Sequence, residues 1–60
     1  MREGKYVVLY VDDDSDLHDT MRLMLGGAGY LLESATTAEE GLRTWKRVCP
    51  DLVIVDLMME

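Results

Sequence analysis

The sequence predicts an α/β fold, a parallel three-stranded sheet built as β-α-β-α-β, and three observations carry that expectation. Two continuous apolar runs, YVVLYV at 6–11 and LVIV at 52–55, show no polar alternation, as expected of strands covered on both faces of a parallel sheet. Each run ends abruptly in aspartate, at Asp12 and at Asp56. Between them lie two segments of helical periodicity separated by a short β-rich run.

The elements follow in order. Tyr6 to Val11 forms the first strand. A helix runs from about Ser15 to Leu25, with Leu17, Met21, Met24, Leu25 and Ala28 at helical spacing on the expected buried side. Asp14 or Ser15 supplies its N-cap, and Asp16 and Asp19 favour its positive end. GGAG at 26–29 stops it, because glycine adopts the left-handed cap conformation without cost. Tyr30 to Ser34 makes the second strand. Thr37 and Glu40 stand at the N-cap and third helical positions of a capping box, opening a second helix through about Val48. The first-turn pair Glu39 and Glu40 is explained by the helix dipole alone. Ala38, Leu42 and Trp45 are expected to face the core, Pro50 ends the helix, and Leu52 to Asp56 forms the third strand.

Right-handed crossovers with a reversal past the first strand give the spatial order 2-1-3 and one helix on each face. Asp12, Asp13 and Asp56 then arrive together at the carboxyl ends of parallel strands, where open α/β sheets bind ligands. Gathering carboxylates at one rim costs free energy through repulsion and desolvation unless a cation sits among them. Hard oxygen donors suit Mg²⁺, which takes one or two carboxylates and keeps several waters. The repetition of one strand-to-carboxylate junction in a single sheet makes this a metal-site pattern, whereas either junction alone is weak.

Composition bounds the rest. A 60-residue chain buries only about 60% of its unfolded surface, so a self-sufficient core is marginal. Twelve acidic against six basic residues give a net charge of -6, which argues against nucleic acid or an anionic membrane as a partner of this segment. Without a membrane-length apolar stretch or a leader, the expectation is a soluble, cytoplasmic protein. The lone Cys49 rules out an internal disulfide and is expected to be a buried small apolar residue. His18 is expected at the surface, Trp45 as a core anchor, and Met58 and Met59 as packing residues after a buried strand.

VVLYVDDDSD at 7–16, GY at 29–30, TAEEGL at 37–42 and PDLVIVDLMM at 50–59 together resemble the receiver domain of two-component response regulators. The resemblance runs along essentially the whole chain. It implies a flavodoxin-like fold and a phosphoacceptor signalling domain rather than an enzyme proper, although intact members assist their own phosphorylation and dephosphorylation. By the matching positions, Asp56 is the acceptor of a phosphoryl group from a histidine kinase or phosphotransfer protein. Asp13 is the direct Mg²⁺ ligand, Asp12 the acid that holds the ion through water, and Met58 the residue whose backbone carbonyl completes the protein ligands.

Glu60 departs from the family pattern, which places proline there. The family fold also has five strands, and the Ser or Thr after its fourth and the Lys after its fifth have no counterparts here. Lys5 precedes the first strand, at the opposite end of the sheet, and cannot substitute. The resemblance therefore implies that residues 1–60 are the amino-terminal half of a receiver, inactive alone, whose exposed third-strand edge pairs antiparallel in a homodimer. Two alternatives stand beside this reading. One is a half-domain whose only activity is assembly. The other is a phosphatase of the haloacid-dehalogenase type, since Asp12 and Asp14 after an apolar strand fit its DxDx(T/V) motif, with Asp16 where Thr or Val is wanted.

Overall fold

The computed structural model describes residues 1–56. Its elements are β1 (Val7–Val11), α1 (Ser15–Gly27), β2 (Leu31–Ala35), α2 (Ala38–Val48) and β3 (Leu52–Val55). All strand pairs are parallel and the order is β2-β1-β3, as the sequence predicts. Every residue of the central strand is buried, which is why that run shows no polar alternation.

Alternation along β1 sorts the two layers. Leu9 and Val11 form a core cluster with Ala35 and Val53 on the α2 side. Gly41 permits that contact, because a Cβ built there would lie 2.9 Å from Cγ2 of Val11. On the other face Tyr10 and Asp12 meet His18 of α1. One helix thus covers each face, as expected.

The helix termini follow from local chemistry. Asp14 caps α1 by accepting from the Asp16 amide. The α1 stop is a Schellman arrangement: Tyr30 N–H donates to Leu25 O at 2.9 Å and Gly29 N–H to Gly26 O at 3.1 Å, with Gly29 at φ 92°. Thr37 caps α2 by accepting from the Glu40 amide at 3.0 Å. The Glu40 carboxylate does not complete a reciprocal box; it accepts from the Thr36 hydroxyl at 3.3 Å.

The buried stripes agree with expectation at Met21 and Leu25 of α1 and differ by about one residue elsewhere. On α1 the inward positions are His18, Met21 and Leu25, at i, i+3 and i+7, while Leu17 and Met24 are exposed. Ala28, the C-cap, is exposed as well. On α2 the close approach at Gly41 turns Gly41 and Thr44 inward, leaving Ala38, Leu42 and Trp45 exposed. These three line an apolar groove with Leu9, Val11, Val53 and Val55, so Trp45 is not a core anchor among the described residues. Cys49 is exposed rather than buried: it takes the left-handed cap conformation (φ 48°, ψ 66°), which turns the chain outward before Pro50.

The opposite end of the sheet is tied by Asp51. Its carboxylate accepts from the Val7 amide at 2.7 Å and pairs with the terminal amino group of Met1 at 3.0 Å. Both contacts, that amide first, hold its carboxyl below the usual aspartate value. No described helix is long and apolar enough to cross a membrane.

Candidate phosphoacceptor rim

The register of the sheet assembles the site. Val11 pairs with Val55, so the next residues, Asp12 and Asp56, leave adjacent parallel strands side by side. The ladder continues one step beyond the strands, with Asp12 N–H donating to Ala35 O at 3.1 Å and Asp56 N–H to Val11 O at 3.0 Å. Backbone pairing therefore sets where both acids stand. Asp12, Asp13 and Asp56 each offer a carboxylate oxygen, and these oxygens lie within 4.8 Å of one another. The three residues singled out in the sequence are brought together; Met58 and Glu60 lie outside the described residues.

The acids differ in environment. Asp12 is 1% exposed, Asp56 is half-buried and Asp13 is exposed. A carboxylate as buried as Asp12 requires donors, and it has two: the Tyr10 hydroxyl to Oδ2 at 2.5 Å and the Asp14 amide to Oδ1 at 3.0 Å. These bonds, that of Tyr10 foremost, outweigh burial and hold the Asp12 carboxyl below its usual range, with smaller help from Asp56 and Asp13. The same Tyr10–Asp12 bond, with burial and the surrounding carboxylates, pushes the phenol up to about 12.

His18 is buried, contrary to the surface position expected for it. Its Nε2 lies 2.6 Å from the carbonyl oxygen of Asp12, and its ring is 5.0 Å from that of Tyr10. The reason is the stripe: position 18 precedes Met21 and Leu25 by three and seven residues, so the imidazole faces the sheet. Neither Tyr10 nor His18 was legible as part of the site. The available signal was spacing, since Tyr10 shares a strand face with Asp12 two residues on.

The oxygens fit a small divalent ion. Two oxygens on one octahedral Mg²⁺ lie at most about 4.2 Å apart, twice its bond length of about 2.1 Å. Carboxylate oxygens that all lie within 4.8 Å of one another can share such an ion, directly or with one of them reaching it through water. Asp14, by contrast, spends its carboxylate on the α1 cap. The second acid of a haloacid-dehalogenase pattern is thus engaged elsewhere.

Comparison with known proteins decides the family. The model of the response regulator receiver domain matches residues 8–60. The chain belongs to the response regulator receiver family. It is 38% identical over 55 residues to probable transcriptional regulator ycf27 of Porphyridium aerugineum, covering 92% of this chain and 23% of that protein. It is 43% identical over 53 residues to transcriptional regulatory protein GlrR of Escherichia coli strain K12, covering 88% of this chain and 12% of that one. A putative transcriptional regulator of Haloferax volcanii is 41% identical over 58 residues, covering 97% of this chain and 10% of the relative. The chain thus spans a quarter or less of the length of these relatives. No solved structure matches it. Members of the family bind Mg²⁺ through acidic residues, and this chain holds a cluster of three carboxylates.

Proposed function

We propose that this receiver accepts a phosphoryl group on Asp56 from a histidine kinase or phosphotransfer protein, with Mg²⁺ held at the rim by Asp13, Asp56, Asp12 through water, and the carbonyl of Met58. The observation that carries the reading is the convergence of Asp12, Asp13 and Asp56 carboxylate oxygens within 4.8 Å at the carboxyl ends of β1 and β3. Bound there, the ion neutralises charge on the incoming phosphoryl group and its acceptor.

The chain's own residues supply the rest. One oxygen of Asp56 bonds to phosphorus as the phosphorus–nitrogen bond to the donor histidine breaks, its electron pair leaving with the imidazole nitrogen, which takes up a proton. Asp13, exposed at the rim, holds the ion from the solvent side in this reading. Asp12, buried and doubly hydrogen-bonded, stays ionised behind it. The acyl phosphate is a switchable charge that biases neighbouring structure by recruiting hydrogen-bond donors.

We further propose that residues 1–60 are the amino-terminal half of the receiver. Loss of one positioned charge donor commonly costs about 10²- to 10³-fold in rate, and the Lys and the Ser or Thr of the family pattern are not in this sequence. Alone, the half self-associates through β3. That strand pairs only with β1 among the described residues, and its Leu52 and Val55 are about half exposed. A compact monomer in sedimentation at micromolar concentration would overturn the dimer.

The deciding experiment mixes the chain with the carboxyl-terminal half supplied in trans, Mg²⁺ and a small-molecule phosphodonor. Phosphate should appear on Asp56 and vanish in Asp56→Asn. Failure with a folded complex removes the phosphoacceptor reading, and phosphate trapped on Asp12 instead favours the phosphatase.

A further inference from the structure

Asp12 has no polar group left unassigned. Its N–H donates to Ala35 O at 3.1 Å, its carbonyl meets His18 Nε2 at 2.6 Å, Oδ2 accepts from Tyr10 at 2.5 Å, and Oδ1 accepts from the Asp14 amide at 3.0 Å. Two of these four contacts come from backbone and follow from the fold. The other two come from side chains that the sequence was free to choose otherwise, and both side chains are 7% exposed.

A carbonyl only accepts, so Nε2 donates to it, and Nδ1 is a buried polar atom without a partner among the described residues. A leucine would fill the same space without a buried ring nitrogen to satisfy, but it would leave the Asp12 carbonyl without its donor. What the imidazole adds is a grip on the peptide that joins Asp12 to Asp13. Because a peptide unit is planar, holding its carbonyl also fixes where the Asp13 N–H and Cα stand. Tyr10 acts on the other end of the residue by occupying Oδ2 of the carboxylate.

We propose that Tyr10 and His18 are positioning residues which hold Asp12 back from direct contact with a cation at the rim and so select a small, strongly hydrated divalent ion over a larger one. The inference rests on the cation reading of the rim given above. Its chemistry is that of coordination number. Mg²⁺ is satisfied by one or two carboxylates and retained waters, whereas Ca²⁺ takes about six to eight oxygens and welcomes bidentate carboxylates. With each Asp12 oxygen already accepting a hydrogen bond, Asp13 and Asp56 are left as the better direct carboxylates, a donor set that suits Mg²⁺ more than Ca²⁺. Releasing Oδ2 enlarges that set. Outer partners of metal ligands commonly change affinity about 10- to 100-fold when removed.

The test measures dissociation constants of the full chain for Mg²⁺ and for Ca²⁺, each as its chloride, by titration calorimetry at one pH and ionic strength. The variants are Tyr10→Phe, His18→Leu, and His18→Gln, whose amide nitrogen can replace the Nε2 donor. Asp51→Asn, which loosens the opposite end of the sheet, serves as a destabilised control far from the rim. The preference for Mg²⁺ over Ca²⁺ should fall about tenfold in Tyr10→Phe and His18→Leu and persist in His18→Gln and the control. Circular dichroism establishes that each variant is folded, and Tyr10→Phe, nearly isosteric, is decisive if His18→Leu is not. Equal weakening of both ions marks a merely structural role and overturns the inference, as does an unchanged preference with intact Mg²⁺ binding. Should the wild-type chain bind neither ion, the cation reading itself fails, and the inference with it.

Discussion

The hydroxyl of Tyr10 on β1 donates to Oδ2 of Asp12, the residue that follows the strand, at 2.5 Å in a buried contact. A rim that gathers three carboxylates thus has one of them secured from within by a neutral donor. This explains how a 1% exposed aspartate stays ionised beside Asp13 and Asp56. It also sets the three acids apart from one another, with Asp12 buried and held, Asp56 half-buried at the end of β3, and Asp13 exposed.

The same bond predicts the pH dependence of stability. Folding raises the Tyr10 phenol from 10.0 to about 12, so its contribution is complete below pH 10 and is lost as pH rises through 12. Asp12 and Asp51 have the opposite sign: their folded values lie below 3.8, so their contributions are present above that pH and vanish as pH falls through the folded values. Urea midpoints measured from acid to alkali should form a plateau flanked by two declines. Tyr10→Phe should flatten the alkaline decline, and Asp51→Asn should remove part of the acid one. An unchanged alkaline limb in Tyr10→Phe would show that the phenol is not the titrating group.

Gly41 offers a packing test. An added Cβ would stand 2.9 Å from Cγ2 and 3.4 Å from Cγ1 of Val11, a stiff, 4% exposed side chain at the centre of the sheet. Overpacking of this kind costs about 1–3 kcal/mol, against a helix-propensity gain of about 1 kcal/mol for alanine over glycine. Gly41→Ala should therefore lower stability by about 1 kcal/mol, or about 4–8 °C in Tm for a domain of this size. Gly26→Ala, with nothing within 4 Å, should not.

Strand order, both helices and the three-aspartate rim were legible because each rests on a signal that survives without neighbours. The apolar runs at 7–11 and 52–55 needed two covered faces, and their register leaves Asp12 beside Asp56. The helix faces were not legible to the residue. Reading hydrophobicity alone selected Leu17 and Met24 over His18, because a polar ring gives no apolar signal even when its spacing to Met21 and Leu25 points inward. On α2, Leu42 and Trp45 advertised a core that Gly41 and Thr44 occupy, since the smallest residues permit the closest approach. Cys49 was misplaced because its left-handed backbone, unusual for a residue with a side chain, is imposed by the turn into β3.

The start of α2 separates two residues that the sequence pattern treats as partners. Thr37 accepts from the Glu40 amide at 3.0 Å, but the Glu40 carboxylate meets Thr36 and not the Thr37 amide. Thr37→Ala should cost about 1 kcal/mol, as loss of an N-cap does. Glu40→Ala, losing an exposed contact of 3.3 Å, should stay within about 0.5 kcal/mol. Thermal unfolding of the two variants measures the difference, and equal losses would mean that a reciprocal box forms in solution.

Asp13→Asn makes a prediction whose sign depends on the ion. In chelator, three carboxylates within 4.8 Å repel one another, so replacing the exposed one by a neutral amide, which can donate to Asp12, relieves charge and leaves the Tyr10 and Asp14 bonds to Asp12 in place. The variant should then be more stable than the wild type. With Mg²⁺ at a hundred times its dissociation constant, the wild type should gain about 2.7 kcal/mol by mass action, whereas Asp13→Asn, deprived of a ligand, should gain far less. The order of the two unfolding midpoints should therefore reverse between chelator and saturating Mg²⁺. A variant that is less stable in both conditions by the same amount would mean that Asp13 serves the fold and not the ion.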